Sequence, residues 1–186
     1  KEAIVVKKKL YLFVILMLLL YLSVACGKNN NSSTSKDSTV KLTNSSYGNY
    51  EFSYYENWTQ KVSDDNSFLY LYPPSGNGNE FIMLHYQTAE TGGSDTFNLW
   101  LFAENMLESL NVENASVNTE TQISGVTARK VVFDATIKQG EYHLETYLLA
   151  NQDKGVMAVQ LVTEKNSSSD FEEEFSEVLY SLKLVK

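Results

Sequence analysis

A single cysteine, Cys26, stands at the end of the longest apolar run in this 186-residue chain. No disulfide can therefore close within it, and the core has to hold by packing alone. The run, Leu10 to Leu22, has 13 residues; it follows the triplet Lys7-Lys8-Lys9 and leads through Ser23, Val24 and Ala25 into the cysteine. A spanning helix needs about 20 apolar residues at 1.5 Å each. Extension back into Ile4, Val5 and Val6 would carry three adjacent ammonium groups into hydrocarbon, at high cost. Basic, apolar and small segments in this order are the arrangement of a secretory leader that is cleaved from the mature chain.

The segment Leu22-Ser23-Val24-Ala25-Cys26 resembles the lipobox of bacterial lipoprotein signal peptides. The resemblance implies that residues 1–25 are a signal peptide and that Cys26 is the lipid-attachment residue, its thiol becoming a thioether to diacylglycerol. It also implies an extracytoplasmic protein, lipid-anchored to the bacterial cell membrane. Two acyl chains, at about 0.8 kcal/mol per buried methylene, are enough for stable anchoring.

Residues 27–46 are Asn, Ser, Thr and Lys with almost no apolar content. Such a segment cannot bury enough surface to offset its ordering entropy. Residues 26–47 therefore read as the attachment cysteine and a polar tether, reaching about 25 Å. Residues 48–186 read as one globular domain. From Cys26 onward 11 basic residues face 22 acidic ones, a net charge of −11. That balance repels phosphate backbones and excludes nucleic acid as a partner. It also provides no polybasic membrane patch, which leaves the lipid as the membrane contact.

The alternation of apolar residues predicts strands at Tyr50–Tyr55, Trp58–Val62, Phe68–Tyr72 and Glu80–Gln87, divided by turn chemistry at Asp64-Asp65-Asn66 and at Ser75 to Asn79. From Asp95 to Leu110 the period becomes helical, with Leu99, Ala103, Met106, Leu107 and Leu110 on one face, Ser94 or Asp95 as cap and Trp100 as core cover. Strands resume at Ala115–Ile123, Val126–Lys138, Glu141–Ala150 and Val156–Glu164. Ser169-Asp170-Phe171-Glu172 has capping-box spacing and opens a helix with Phe171, Phe175, Val178, Leu179 and Leu182 on one stripe. Four strands, a helix, four strands and a helix make an α+β fold, an antiparallel β-sheet packed against two helices.

Four segments carry a further resemblance: Tyr50-Glu51-Phe52-Ser53-Tyr54 followed by Trp58; Phe68-Leu69-Tyr70-Leu71-Tyr72; Gly125-Val126-Thr127-Ala128-Arg129-Lys130-Val131; and Val178-Leu179-Tyr180-Ser181-Leu182-Lys183. Over residues 48–185 the chain resembles the PsbP-like fold. That group includes the extrinsic PsbP subunit of photosystem II, a eukaryotic Ran-binding import factor and bacterial lipoproteins. The resemblance implies an α-β-α sandwich. Members usually place a proline shortly before the tryptophan, where this chain has Tyr55-Glu56-Asn57. No photosystem or Ran-binding motif maps onto these residues, so no functional residue is carried over.

Catalytic motifs are absent from the sequence. It has no Gly-x-Ser-x-Gly, His-Glu-x-x-His, EF-hand loop or phosphate-binding glycine loop. His85, in Leu84-His85-Tyr86, reads as a packed histidine bonded to a neighbour. No cofactor is expected. Glu141, His143 and Glu145 alternate on one strand and share a face. A two-residue turn at Gln139-Gly140 would pair Thr136 with His143 and Asp134 with Glu145. Asp134, His143 and Glu145 are thus candidate ligands for a divalent cation, against the alternative that they are the solvated face of a half-buried hairpin. A second candidate is aromatic. Tyr54, Trp58, Tyr70 and Tyr72 are the rings assigned to a ligand or partner surface, against the alternative that strands favour packed aromatics.

These features lead to an expected non-enzymatic accessory or binding module that presents a sheet face to a protein partner at the cell envelope. The rival expectation is a solute-binding lipoprotein, for a divalent cation or a glycan, serving a transporter or the envelope.

Overall fold

Alternation decides the architecture. A run such as Val156-Met157-Ala158-Val159-Gln160-Leu161-Val162 is buried on both sides, as it must be in a strand central to a sheet with cover on both faces. The computed structural model describes residues 41–74, 78–88, 99–113, 115–137, 140–151, 155–167 and 171–185. Cys26, the leader, residues 27–40, the Ser94/Asp95 cap and the Ser169-Asp170 capping pair lie outside the described residues.

Among the described residues five strands come first: β1 Leu42–Tyr47, β2 Tyr50–Tyr55, β3 Thr59–Val62, β4 Leu69–Tyr72 and β5 Phe81–Thr88. Helix α1, Leu99–Ser109, precedes β6 Val117–Ile123, β7 Val126–Ile137, β8 Gly140–Asn151 and β9 Gly155–Glu164. Helix α2, Glu172–Ser181, and a two-residue strand, β10 Lys183–Leu184, close the chain. Seven strands form one antiparallel sheet in the order β3-β4-β5-β9-β8-β7-β6, and β1-β2-β10 form a second, small one.

Each face of the large sheet builds its own core. On the first face Leu69, Leu71, Ile82, Leu84, Met157, Val159 and Leu149 meet Phe52 of β2 and Phe175, Val178 and Leu179 of α2. On the second, Phe133, Leu144, Leu148, Val156 and Ala158 meet Phe102, Ala103, Met106 and Leu107 of α1. The expected sandwich is thus real but asymmetric: α1 covers one face, and α2 together with the small sheet covers the other. All five residues of the predicted C-terminal stripe are buried.

Three expectations need correction. The tether was drawn to residue 47, yet Leu42–Tyr47 is β1, which pairs with β2 along its whole length from Leu42–Tyr55 to Tyr47–Tyr50. Its side chains are polar because it is an edge strand, with alternating half-buried and exposed positions. Gly48 makes the return possible. It has φ +59°, and a Cβ there would lie 2.6 Å from Cγ of Tyr86. Trp100, expected to cover the core, is 51% exposed, while its neighbour Phe102 is buried. A helix of this length buries a stripe about two residues wide per turn, and Phe102, not Trp100, falls on it with Ala103 and Met106. Finally, the β7–β8 pairing is displaced by two residues from that expected: Asp134 faces His143, Thr136 faces Glu141 and Ile137 faces Gly140. A shift of two preserves which face each side chain occupies and changes only its opposite number.

Candidate functional site

The four rings assigned to one surface do not share one. Trp58 is only 7% exposed and belongs to the first core. Its indole meets Phe171 edge-on at 5.9 Å and stacks on Tyr55 at 6.3 Å. Tyr54 packs beside Phe52 at 6.1 Å, against the same core. Trp58 is therefore a packing residue, fixed between the small sheet and the start of α2, and is not available to a partner.

Tyr70 and Tyr72 lie on the opposite face. Residues 68, 70 and 72 point the same way along their strand. Their rings form a ladder, Phe68 to Tyr70 at 6.2 Å and Tyr70 to Tyr72 at 6.1 Å, each pair inclined by 29°. Phe81 of β5 meets Tyr70 edge-on and Tyr72 at a tilt, both at 5.6 Å. Lys61, from edge strand β3, sets its ammonium 5.3 Å above the Tyr72 ring. Phe68 and Phe81 are buried, and Tyr70 and Tyr72 are half-buried. Burial raises the pKa of both phenols, so they remain neutral hydrogen-bonding groups in any ordinary medium. Rings fixed on one side and wet on the other are the side chains that binding surfaces favour, because little rotamer entropy is left to lose.

The acidic candidate resolves into ion pairs. The Nδ1–H of His143 donates to Oδ1 of Asp134 at 2.8 Å, and Lys165 reaches Oδ2 of the same carboxylate at 3.0 Å. The hydrogen bond from His143, then that from Lys165, holds the Asp134 carboxyl below its usual range. Lys165 also stands 3.8 Å from Glu141. Glu145 is engaged elsewhere, by Lys130 at 2.8 Å. Asp134, His143 and Glu145 thus do not converge, and among the described residues no three His, Cys, Asp or Glu side chains form a metal-holding set. The two-residue displacement of register is the cause, since it places Val132, not Asp134, opposite Glu145.

His85 is packed on the second face. It is 7% exposed, with Nδ1 2.6 Å from the Ser67 carbonyl and its ring 4.7 Å from Phe68. Burial pushes its pKa down to about 4, outweighing the Ser67 hydrogen bond. It is neutral at pH 7 and holds the 63–68 turn against β5.

No family model and no curated protein matches the sequence. Solved structures do match its shape. The cyanobacterial PsbP protein CyanoP of Synechocystis superposes with a TM-score of 0.60 at 12% identity, over 82% of this chain and 98% of that one. The fold is PsbP-like. A protein of unknown function from Pseudomonas aeruginosa, PA94, a putative regulator by its description, matches at TM-score 0.50 and 11% identity over 78% of this chain and 98% of its own. A Bacteroides thetaiotaomicron protein matches at 0.54 and 11%, over 74% of this chain. This chain spans about half, 46%, of the Bacteroides protein. At these identities the likeness is one of PsbP-like architecture. It explains why the strand and helix order was recognisable while few identities were. Among the described residues no helix is long and apolar enough to cross a membrane.

Proposed function

We propose that this chain is a non-enzymatic accessory module of the cell envelope, held to the membrane by a diacylglyceryl group on Cys26 and engaging a protein partner through the Tyr70–Tyr72 face. The observation that carries this reading is the ladder itself: two stacked, half-buried tyrosines backed by Phe81 and flanked by the Lys61 cation. Edge strand β3 lies beside them, with Val62 exposed at its end. Aromatic and cationic groups of this kind dominate the energetics of protein contacts. The PsbP-like fold, shared with cyanobacterial PsbP (CyanoP) and with a protein described as a putative regulator, is consistent with an accessory role.

The test is crosslinking and affinity recovery of the full chain from its native membrane. A stoichiometric envelope protein is expected with the natural sequence, and its recovery should fall at least about tenfold in a Tyr70→Ser/Tyr72→Ser variant. Failure to recover any stoichiometric partner removes the proposal. Incorporation of a clickable fatty acid, lost in Cys26→Ser, tests the anchor separately.

A further inference from the structure

The small sheet holds a second candidate site, independent of the partner reading. Strand β1 runs beside all six residues of β2, but on the other side β10 supplies only two, Lys183 opposite Glu51 and Leu184 opposite Tyr50. In the same register Leu182 falls opposite Phe52 and Ser181 opposite Ser53, and neither belongs to a strand. The Ser181 hydroxyl replaces the missing backbone partner by accepting from the Ser53 N–H at 2.8 Å, and it donates to the Val178 carbonyl at 2.7 Å. Where the third strand stops, a groove of about 500 Å³ opens, lined by residues of β1, β2, the end of α2 and β10 that are polar except for Phe52.

The lining is chemically mixed. Ser45 and Ser46 come from β1, Glu51 and Ser53 from β2, and Ser181 and Lys183 from the C-terminal segment. Glu51 and Lys183 are direct cross-strand neighbours of opposite charge. Among the described residues they nevertheless form no ion pair with each other, the pairs being those of Lys130 and Lys165 and of His143. Both residues are exposed, so their charged ends are open to solvent and to a bound molecule. The wall beside them is rigid, because the Ser53 hydroxyl donates to Asn44 Oδ1 at 2.8 Å while its backbone is tied to Ser181.

We infer that this groove is a saccharide-binding site sized for two or three sugar units. Its volume lies within the usual range for small-molecule sites. One carboxylate and one ammonium cancel, so neither an anion nor a cation is selected. Hydroxyls that both donate and accept, beside a fixed acceptor and a fixed donor, match vicinal diols, each of which does the same. The open, shallow form suits a chain that continues beyond the groove at either end.

Isothermal titration of the full chain with maltotriose and with chitotriose tests the assignment. Saturable binding of at least one trisaccharide at millimolar concentration is expected, weakened roughly tenfold by Glu51→Gln or by Ser46→Ala, each of which removes one hydrogen-bonding group from the groove. Both positions are exposed, so an unchanged thermal midpoint will show that the variants are folded. Absence of saturable heat with both sugars overturns the inference. So does binding that neither substitution alters, and so does preference for an unmodified tripeptide over both sugars. Loss of the membrane partner in the Tyr70→Ser/Tyr72→Ser variant leaves this result untouched, since the two sites lie on different sheets.

Discussion

One face of the large sheet is closed by two elements bound to each other, the small sheet and α2, which meet at Ser53 and Ser181. The other carries α1 over β7 and β8, and toward β4 it ends in the half-buried rings of Tyr70 and Tyr72. The aromatic rings follow this difference. Trp58, Phe171 and Phe175 each lie between two elements, so their burial stabilises the joint. Tyr70 and Tyr72 touch one another and Phe81 while keeping one side wet. Similar side chains serve as mortar in one place and as contact surface in the other, and the extent of cover decides which.

The contrast can be tested by substitution, and the largest effect belongs to the closed face. Phe175→Ala leaves a cavity beneath Tyr147 and should cost about 3–5 kcal/mol in urea unfolding, enough to unfold much of a marginal domain. A loss below about 1 kcal/mol would show that the joint is not what holds the fold.

Next comes acidification, which acts on the second face through His85. In the folded chain it stays neutral down to about 4, whereas the unfolded chain takes up this proton near 6.5. Between those values the unfolded state binds more protons, so stability falls as pH drops and is flat above about 6.5. The full loss is about 3 kcal/mol. Unfolding midpoints from pH 7.5 to pH 4 should show this slope in the natural chain, reduced in His85→Gln. An identical slope in both would assign it to carboxylates.

Gly48→Ala loads the first face at its margin. It forces a side chain into φ +59° and against the Tyr86 ring, at a cost of about 2 kcal/mol by thermal melting. The smallest change is Tyr72→Ala, about 1 kcal/mol, because that ring is only half-buried. If Tyr72→Ala matched Phe175→Ala, the two faces would be equally structural and the partner surface would have to be sought elsewhere.

Much of this architecture was legible in the residues. Val126–Ile137, Gly140–Asn151 and Gly155–Glu164 stand within two residues of their expected bounds because each alternates or runs apolar for ten residues or more. Leu42–Tyr47 escaped because Leu-Thr-Asn-Ser-Ser-Tyr has no apolar face; its strand state comes from pairing with β2, which local sequence does not encode. The two tryptophans exchanged roles for a related reason. Their burial depends on what covers them, and the cover over Trp58, Phe171, is more than a hundred residues away in the chain. The hairpin register turned on whether Gly140 closes the turn or begins the strand, a choice of one residue that moved Glu145 from Asp134 to Lys130. The groove had no local signal, since it unites residues 44–53 with Ser181 and Lys183.

The edge position of β1 has a mechanical consequence. Among the described residues its only neighbour is β2, and its register runs from Leu42 opposite Tyr55 back to the turn at Gly48. Tension entering at residue 41 therefore peels the hairpin from its open end, and the bonds of the ladder break one after another instead of sharing the load. Each is worth about 1 kcal/mol net. Strand β1 is thus a yielding link in series with whatever holds the chain upstream. It would pay out about 20 Å of slack at low force while the seven-stranded sheet stays intact.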